Sequence, residues 1–470
     1  MLAAFQLGFN LADTNLPEPY IRCWIQETED PDQFLINNVT CEDAATDGQI
    51  KNTTLNLILD KSTAKWSIAI SIYALGAMAG SLIAGPIANK VGRKPSILLN
   101  AILNAVSCIT LVFIRTINSY YVFVVLRVLL GVNTGWCSVV TPLYLGEISP
   151  KKLSSTFVAS FQLTVCVGQL VAQVFGLSWI LGTDAFWPLC LGLSAVPGLI
   201  QIGLYFFVVE TPGWLVLQGR ISEAKLSNES TKNEKLVESG DSGADSDSTL
   251  QNIKKIFKNP ALRGALMVTI IYHLAQQLSG INAIIFYSGS IFTDAGVPPE
   301  FSGLATCGVG AINIAGVALA IFLINKVGRI SLFVTGLVIM SLMSVSVTIL
   351  LSFPDNAVLG YLVIAPVLIY VFAFELGPGP LPWMMSGEYM PIEYSAGSQA
   401  IGAVFNWFGC FVVGLIFPPL QSAIGQYSFM LFAATCALFA VLVKVYGVES
   451  RKKTVEQVQM VFRKRAGGPG

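Results

Sequence analysis

Asn89-Lys90-Val91-Gly92-Arg93 returns letter for letter as Asn325-Lys326-Val327-Gly328-Arg329, and each copy lies between two long apolar runs. Two looser echoes keep the same order: Gly146-Glu147-Ile148-Ser149-Pro150 against Gly387-Glu388-Tyr389-Met390-Pro391, and Val209-Glu210-Thr211 against Val448-Glu449-Ser450. Their offsets are 325 − 89 = 236, 388 − 147 = 241 and 449 − 210 = 239 residues. One repeated pentapeptide is weak evidence. Three echoes in one order, each at the end of an apolar run, describe a duplicated chain.

Of the 470 residues, 54% are hydrophobic and only 12% are charged, and the mean hydropathy is +0.66. That is the composition of a membrane protein, and parallel repeats are a common build of secondary transporters. A helical span needs roughly 20 apolar residues. Eleven such runs end near Asn89, Arg115, Glu147, Leu181, Val209, Phe292, Asn325, Phe353, Ser386, Leu420 and Tyr446. A twelfth, the first in the chain, covers Met1 to Asn15 and is too short to cross, so this helix is expected to be truncated or abbreviated. It lacks the basic start and small-residue cleavage site of a leader. The expected fold is an all-α membrane protein of two pseudo-symmetric six-helix halves, 1–209 and 263–447, with a linker 210–262 and a tail 448–470.

Lys90, Arg93, Lys94, Lys151, Lys152, Arg220, Lys254, Lys255, Lys258, Lys326, Arg329 and 451–453 fall in alternate loops, which are cytoplasmic by the positive-inside rule. The acidic loop 16–65 is then extracellular, and both termini are cytoplasmic if the first helix is complete. That loop carries two glycosylation patterns, at Asn38 and Asn52. It also holds Cys23 and Cys41, whose pairing the sequence leaves open. The single histidine, His273, has no metal-spaced companions. There is no nucleophile and base constellation and no phosphate loop. No enzyme activity, metal, cofactor, nucleic acid or obligate protein partner is expected; the lipid bilayer is.

Several polar groups sit inside the apolar runs. Arg127 lies well within the span from Tyr120 to Glu147, where a charge marks a functional site by default. Gln162, Gln169 and Gln173 recur at near-helical spacing and should face the bundle interior. Gln276-Gln277-Leu278-Ser279-Gly280-Ile281-Asn282 is followed by Phe286-Tyr287, and a continuous helix would put Gln276, Ser279, Asn282 and Phe286 on one face. Asn313 interrupts another run. Glu375 precedes Gly377-Pro378-Gly379-Pro380-Leu381-Pro382-Trp383, where the helix must break, and broken backbone at membrane depth belongs beside protein or a water-filled cavity. At the repeated turns, Gly92 permits a tight bend. Arg93 is read either as a headgroup anchor or as a latch to carboxylates at neighbouring helix ends. Residues 210–263 turn polar, above all Glu238 to Ser248, which reads as a disordered linker. Leu250, Ile253 and Phe257 beside Lys254, Lys255 and Lys258 read as an amphipathic helix on the membrane.

At these residues the chain closely resembles the facilitative hexose transporters of the major facilitator superfamily, over nearly its whole length. Gln276 to Asn282 together with Gly377 to Trp383 carry the resemblance; the two Gly-Arg turns alone indicate only the superfamily. Phe5-Gln6-Leu7-Gly8-Phe9-Asn10 is similar to that family's first span. The resemblance implies that Gln162, Gln276, Gln277, Asn282, Asn313, Glu375 and Trp383 surround a sugar, with Asn406 beside them. It implies that Phe286 and Tyr287 gate the site, and that Arg93, Glu147, Glu210, Arg329, Glu388 and Glu449 form the cytoplasmic gating network. Carboxamides suit the task, because each sugar hydroxyl both donates and accepts. Cys410 stands where relatives often have a second Asn, Phe286 where most have Tyr, and Ser154 and Ser395 where arginines complete the network.

The function implied is a hexose uniporter of the plasma membrane working by alternating access. Glucose is the expected substrate, and His273-Leu274-Ala275 is similar to members that also take fructose. The alternatives are a proton-coupled sugar symporter and a sugar sensor that does not transport. Proton-driven relatives carry an Asp at the position of Asn10, opposite the arginine that matches Arg127. Asn10 cannot titrate, which favours uniport. Asp13, three residues on, is read as a solvated helix-end residue, with pairing to Arg127 as the alternative.

Overall fold

The computed structural model describes residues 1–29, 41, 53–150, 153–231, 249–324, 326–353 and 357–467. Asn38, Asn52, Asn325 and the stretch 238–248 lie outside them. Among the described residues every regular element is helical. Among the described residues, nine stretches are long and apolar enough to cross a membrane. The last of these, Glu393–Tyr446, is two spans folded back at Gly425–Tyr427. With the first and seventh spans, which are broken and more polar, the total is twelve.

The second to sixth spans are Thr53–Val91, Arg93–Val112, Tyr120–Ile148, Ser154–Phe175, and the pair Trp187–Gly192 and Ala195–Gly203. In the second half the eighth and ninth are Pro299–Leu323 and Arg329–Leu351, and the eleventh and twelfth are Ile392–Ile424 and Ser428–Tyr446. Large apolar side chains such as Phe322, Leu342 and Val441 stay exposed on the outside, as lipid-facing surfaces require. The second and fourth spans cross with backbones in contact: Gly76 and Gly80 face Val128 and Val132, and Gly131 and Gly135 face Tyr73 and Ala77. A Cβ at any of these four would collide with the opposite backbone.

Three expectations change. The first span does not stop near Asn15, because Leu2–Ala12 is followed, across a turn ended by Pro17, by a second helix, Glu18–Glu29. Its charges disguise an apolar face. Tyr20, Ile21, Trp24 and Ile25 are buried, and the Trp24 ring meets Phe123 and Trp187 at 5.9 and 5.4 Å. Residues 18–29 are therefore packed protein, and a disulfide from Cys23 to Cys41 ties the helix to the following loop.

Second, the seventh span is not one helix. Pro260–Leu278 ends at Ser279, Gly280 takes φ +96°, and Ile281–Asp294 starts afresh. Asn282 consequently meets Gln277 across a break and does not share one helix face with Gln276. Third, the linker is partly ordered: Pro212–Leu217 and Ile221–Thr231 are helices. The Trp214 indole donates to the Asn89 carbonyl at 2.9 Å, and Ser227 Oγ to the Glu210 carbonyl at 2.7 Å. The early linker thus docks on the first half.

The helix expected near Lys254 forms as Thr249–Lys258, with Ile256 buried and Phe257 exposed. In the tail, Thr454 caps Val455–Arg465 through a capping box with Gln457. Phe462 anchors it against the Tyr389 ring at 5.5 Å.

Candidate functional site

At the basic end, both copies of the repeated turn are built alike. Arg93 Nη2 lies 2.9 Å from Glu147 Oε1, and Arg329 Nη2 lies 3.0 Å from Glu388 Oε1. Glu210 accepts from the backbone N–H groups of Arg93 and Lys94 at 3.0 and 3.1 Å. Glu449 accepts from those of Arg329 and Ile330 at 3.0 and 3.2 Å. The carboxylate sits on the first turn of a helix, where free N–H groups and the helix dipole favour an anion. Gly92 has φ +102° but Gly328 has φ −66°, so a tight bend is not what the two share. What they share is the missing Cβ, which at either position would strike the carboxylate of Glu210 or Glu449. Of the two readings of Arg93, the latch is the one formed, and each latch closes within its own half.

Midway along the bundle, both halves contribute to one polar cluster at the two helix breaks. The tenth span is interrupted between Ile364–Leu376 and Leu381–Tyr389, where Gly377 to Pro380 cannot continue a helix. Gln276 Nε2 donates into that break, to the carbonyls of Pro378 at 2.8 Å and Gly379 at 2.6 Å. Gln277 Nε2 donates to Asn406 Oδ1 at 2.8 Å, and Asn406 Nδ2 to Gln276 Oε1 at 2.5 Å. Asn282 Nδ2 donates to Gln277 Oε1. From the first half, Gln162 Nε2 reaches Glu375 Oε1 at 3.0 Å. Asn313 Nδ2 donates in the other direction, to Gln169 Oε1 at 2.8 Å. The Trp383 ring stands edge-on to His273 at 5.0 Å and to Phe161 at 6.0 Å.

All eight residues expected around the ligand are therefore buried in one region, and seven belong to the hydrogen-bonded set. Ser279 is not among them, since its hydroxyl bonds the Gln276 carbonyl at 2.6 Å. Three participants escaped the site reading. Gln169 stood out only as an inward-facing amide. Cys166, whose thiol donates to Glu375 Oε1 at 3.4 Å, gave no motif-level signal, and His273, whose Nδ1 lies 3.2 Å from Asn406 Nδ2, entered only through its likeness to relatives that also take fructose.

Towards the disulfide-bearing end, a cavity of about 910 Å³ opens between the halves. Asn15, Glu18 and Trp179 line it from the first half, and Tyr287, Ser290 and Gln421 from the second. Tyr287 donates to the Gly414 carbonyl at 3.2 Å and leans on Phe417 at 5.6 Å. Phe286 is buried beside it, edge-on at 6.2 Å. The two aromatics thus lie between the cavity and the amide cluster in chain order along the second helix of the seventh span. Asn15 crosses to the second half, donating to Ser288 Oγ at 2.9 Å.

Asp13 is fully buried and lies 3.4 Å from Arg127 Nη1, so the solvated-end reading does not hold. The residue looked terminal because its helix ends there; its partner is 114 positions away. The Arg127 guanidinium also lies over the Tyr73 ring at 4.6 Å. Asn10 does not turn to the arginine, donating instead to Asn104 Oδ1 at 2.9 Å.

Comparison with known proteins places this geometry. The profile of the family described as "Sugar (and other) transporter" matches residues 1–462. Solute carrier family 2, facilitated glucose transporter member 3 of Mus musculus is 31% identical over 473 residues, covering 99% of this chain and 92% of the relative. Member 5 of the same family from Equus caballus is also 31% identical, over 98% of this chain and 90% of the relative. Among solved structures, the proton:xylose symporter XylE bound to 6-bromo-6-deoxy-D-glucose superposes with a TM-score of 0.75. It covers 98% of this chain and 97% of its own at 20% identity, a likeness of fold.

Proposed function

The chain belongs to the sugar transporter family, and from that premise we propose that it carries hexoses, glucose among them, across a membrane by facilitated transport. The observation that carries this reading is the amide cluster at the two helix breaks, to which both halves contribute. An uncharged polyol needs such a surface, because every hydroxyl must find a donor and an acceptor once desolvated. Two halves that meet at a central polar site, each with its own latch at one end, form the parts of a rocking carrier. The basic end is assigned to the cytoplasm by its arginines and lysines. The cavity at the disulfide end is then the entry from outside, and the plasma membrane is the expected location.

The ligand set is Gln162, Gln276, Gln277, Asn282, Asn313, Glu375, Trp383 and Asn406. Phe286 and Tyr287 guard its outer side. The paired clusters at Arg93 and Arg329 brace the inner ends of each half. A second reading, proton-coupled uptake, is favoured by one observation, the buried acid Asp13 against Arg127.

The test is uptake of labelled glucose into proteoliposomes holding the purified protein, with unlabelled glucose and fructose as competitors. Saturable uptake that glucose suppresses is expected, with fructose competing as well. Uptake indifferent to excess glucose would overturn the substrate assignment.

A further inference from the structure

At the basic end each latch closes within its own half, but at the disulfide end polar bonds cross between the halves. Asn15 makes one such contact, and the helix Glu18–Glu29 makes another. Ser290 Oγ of the seventh span donates to Glu18 Oε2 at 3.1 Å. Arg22 Nη1, one turn further along the helix, lies 3.3 Å from Glu18 Oε1. Arg22 also donates through Nε to Ser62 Oγ at 3.3 Å, and Glu29 at the far end of the helix pairs with Lys65. Glu18, Arg22 and Ser290 all line the 910 Å³ cavity.

The carboxylate is well placed for contact that must be made and released. Glu18 stands on the first turn of its helix, where the dipole favours an anion, and Glu before Arg at a four-residue step is the favourable order. Glu18 and Arg22 both stay with the first half. When the halves part, only the Ser290 hydroxyl leaves, and a carboxylate at the rim of a wet cavity takes water in its place. No ion pair has to be broken, yet a hydrogen bond to a charged acceptor outweighs a neutral one. The helix itself needs support, since twelve residues are marginal alone and its cavity side has little to pack on. Trp24 supplies packing on the other side. Cys23, between Arg22 and Trp24, supplies a covalent tie to Cys41. Cys23 and Cys41 are both buried, and thiol exchange needs access, so the tie is a fixed strut.

We propose that Glu18–Glu29 is a disulfide-set outer clasp, in which Glu18, positioned by Arg22, bonds Ser290 of the other half each time the outer mouth closes. The inference rests on the carrier reading above and concerns closure, not the contacts of the sugar.

The test compares half-saturation for glucose entry and for glucose exit in cells expressing the protein. Loss of the clasp destabilises the outer-closed forms, so more carriers face outward. In Glu18→Ala and in Ser290→Ala, half-saturation for entry should fall by about 2-fold to 10-fold and that for exit should rise. The double variant should be no worse than either single one, because one contact is lost in all three. Glu18→Gln keeps an acceptor and should shift less. Cys23→Ser should shift both constants in the same directions as Glu18→Ala; Cys41→Ser repeats the test if Cys23→Ser fails to assemble. A merely structural role would lower the maximal rate and leave both constants in place. A second readout needs no sugar. Ser288 is fully buried beside Asn15, so in a Cys307→Ser background Ser288→Cys should react with a membrane-impermeant maleimide faster when Glu18→Ala is added. Constants that move together or stay fixed, or additive effects of the two single variants, would overturn the clasp. Unchanged constants in both cysteine variants would overturn the role of the disulfide. Absence of hexose uptake by the unmodified protein would instead overturn the hexose reading, and the labelling rate alone would then decide the clasp.

Discussion

The basic ends of the two halves are near copies, whereas the middle of the molecule is not. Arg93 with Glu147 and Glu210 repeats as Arg329 with Glu388 and Glu449, down to the glycine that lets the last carboxylate approach. In the central cluster, His273, Gln276, Gln277, Asn282, Asn313, Glu375 and Asn406 come from the second half, and Gln162, Cys166 and Gln169 from the first. A duplicated chain keeps duplicated chemistry where it does a job common to both halves, which here is fixing helix ends. It departs from symmetry at the proposed sugar site, as a sugar that presents different hydroxyls to its two sides would require.

The largest effects should fall on the symmetric parts. Arg93 and Arg329 are each at least nine-tenths buried, and truncating one partner of a buried ion pair typically costs about 3–5 kcal/mol. Arg93→Ala and Arg329→Ala should therefore both lower the melting temperature and yield of detergent-purified protein, and by similar amounts. A large loss in one with none in the other would break the comparison.

A smaller effect of a different kind is expected in the centre. Gln277→Ala should weaken sugar affinity by about 5-fold to more than 100-fold, corresponding to about 1–3 kcal/mol. On the proposed reading the group serves a ligand, so the melting temperature without sugar should move far less than in the arginine variants. Equilibrium binding and thermal melting on the same preparation separate the two. Unchanged affinity would remove Gln277 from the site.

One asymmetry within the paired clusters is finer still. Ser450 Oγ donates to Glu388, but at the matching position, 450 − 211 = 239 residues earlier, the Thr211 hydroxyl is buried without a partner. Ser450→Ala should cost about 1.5–3 kcal/mol, the usual value of a hydrogen bond to a charged group. Thr211→Val removes an unsatisfied hydroxyl at nearly constant shape and should be neutral or slightly stabilising. Equal melting shifts for the two would show the clusters to be alike in energy as well as in layout.

What was legible in the sequence follows the same division. The repeated turns, the Gly377 to Pro380 break and the polar run at Gln276 announce themselves, because glycine and proline weaken a helix and buried amides demand partners wherever they occur. The helix Glu18–Glu29 did not, since its glutamates conceal the stripe of Tyr20, Ile21, Trp24 and Ile25 that buries it. Nor did the break at Gly280, where Leu-Ser-Gly-Ile fits an unbroken helical period. Asp13 and Gln169 were legible as polar residues but not by role, because each is defined by a partner more than a hundred positions away.

The smallest expected signal concerns protons, and here the expected effect is none. Proton coupling needs an acid that changes its ionisation in each cycle, in contact with something that sugar binding moves. Asn10 has no such proton, and its amide is committed to Asn104. Asp13 is an acid in reach of Arg127, but the pair is buried and the guanidinium is shared with the Tyr73 ring. Releasing Asp13 as a neutral acid would leave the arginine within the span without a countercharge, an arrangement membranes tolerate poorly. All of these groups lie in the first half, and among them the Tyr73 ring stands edge-on to Trp407 of the second half at 6.3 Å. The pair is therefore expected to act as a structural brace, and sugar added to a lightly buffered suspension of vesicles or cells should not alkalinise the medium. Alkalinisation stoichiometric with sugar, kept in Asp13→Glu and lost in Asp13→Asn while sugar binding persists, would make Asp13 the proton carrier. The asymmetry of the centre would then extend to energy supply, with one half binding most of the sugar and the other driving it.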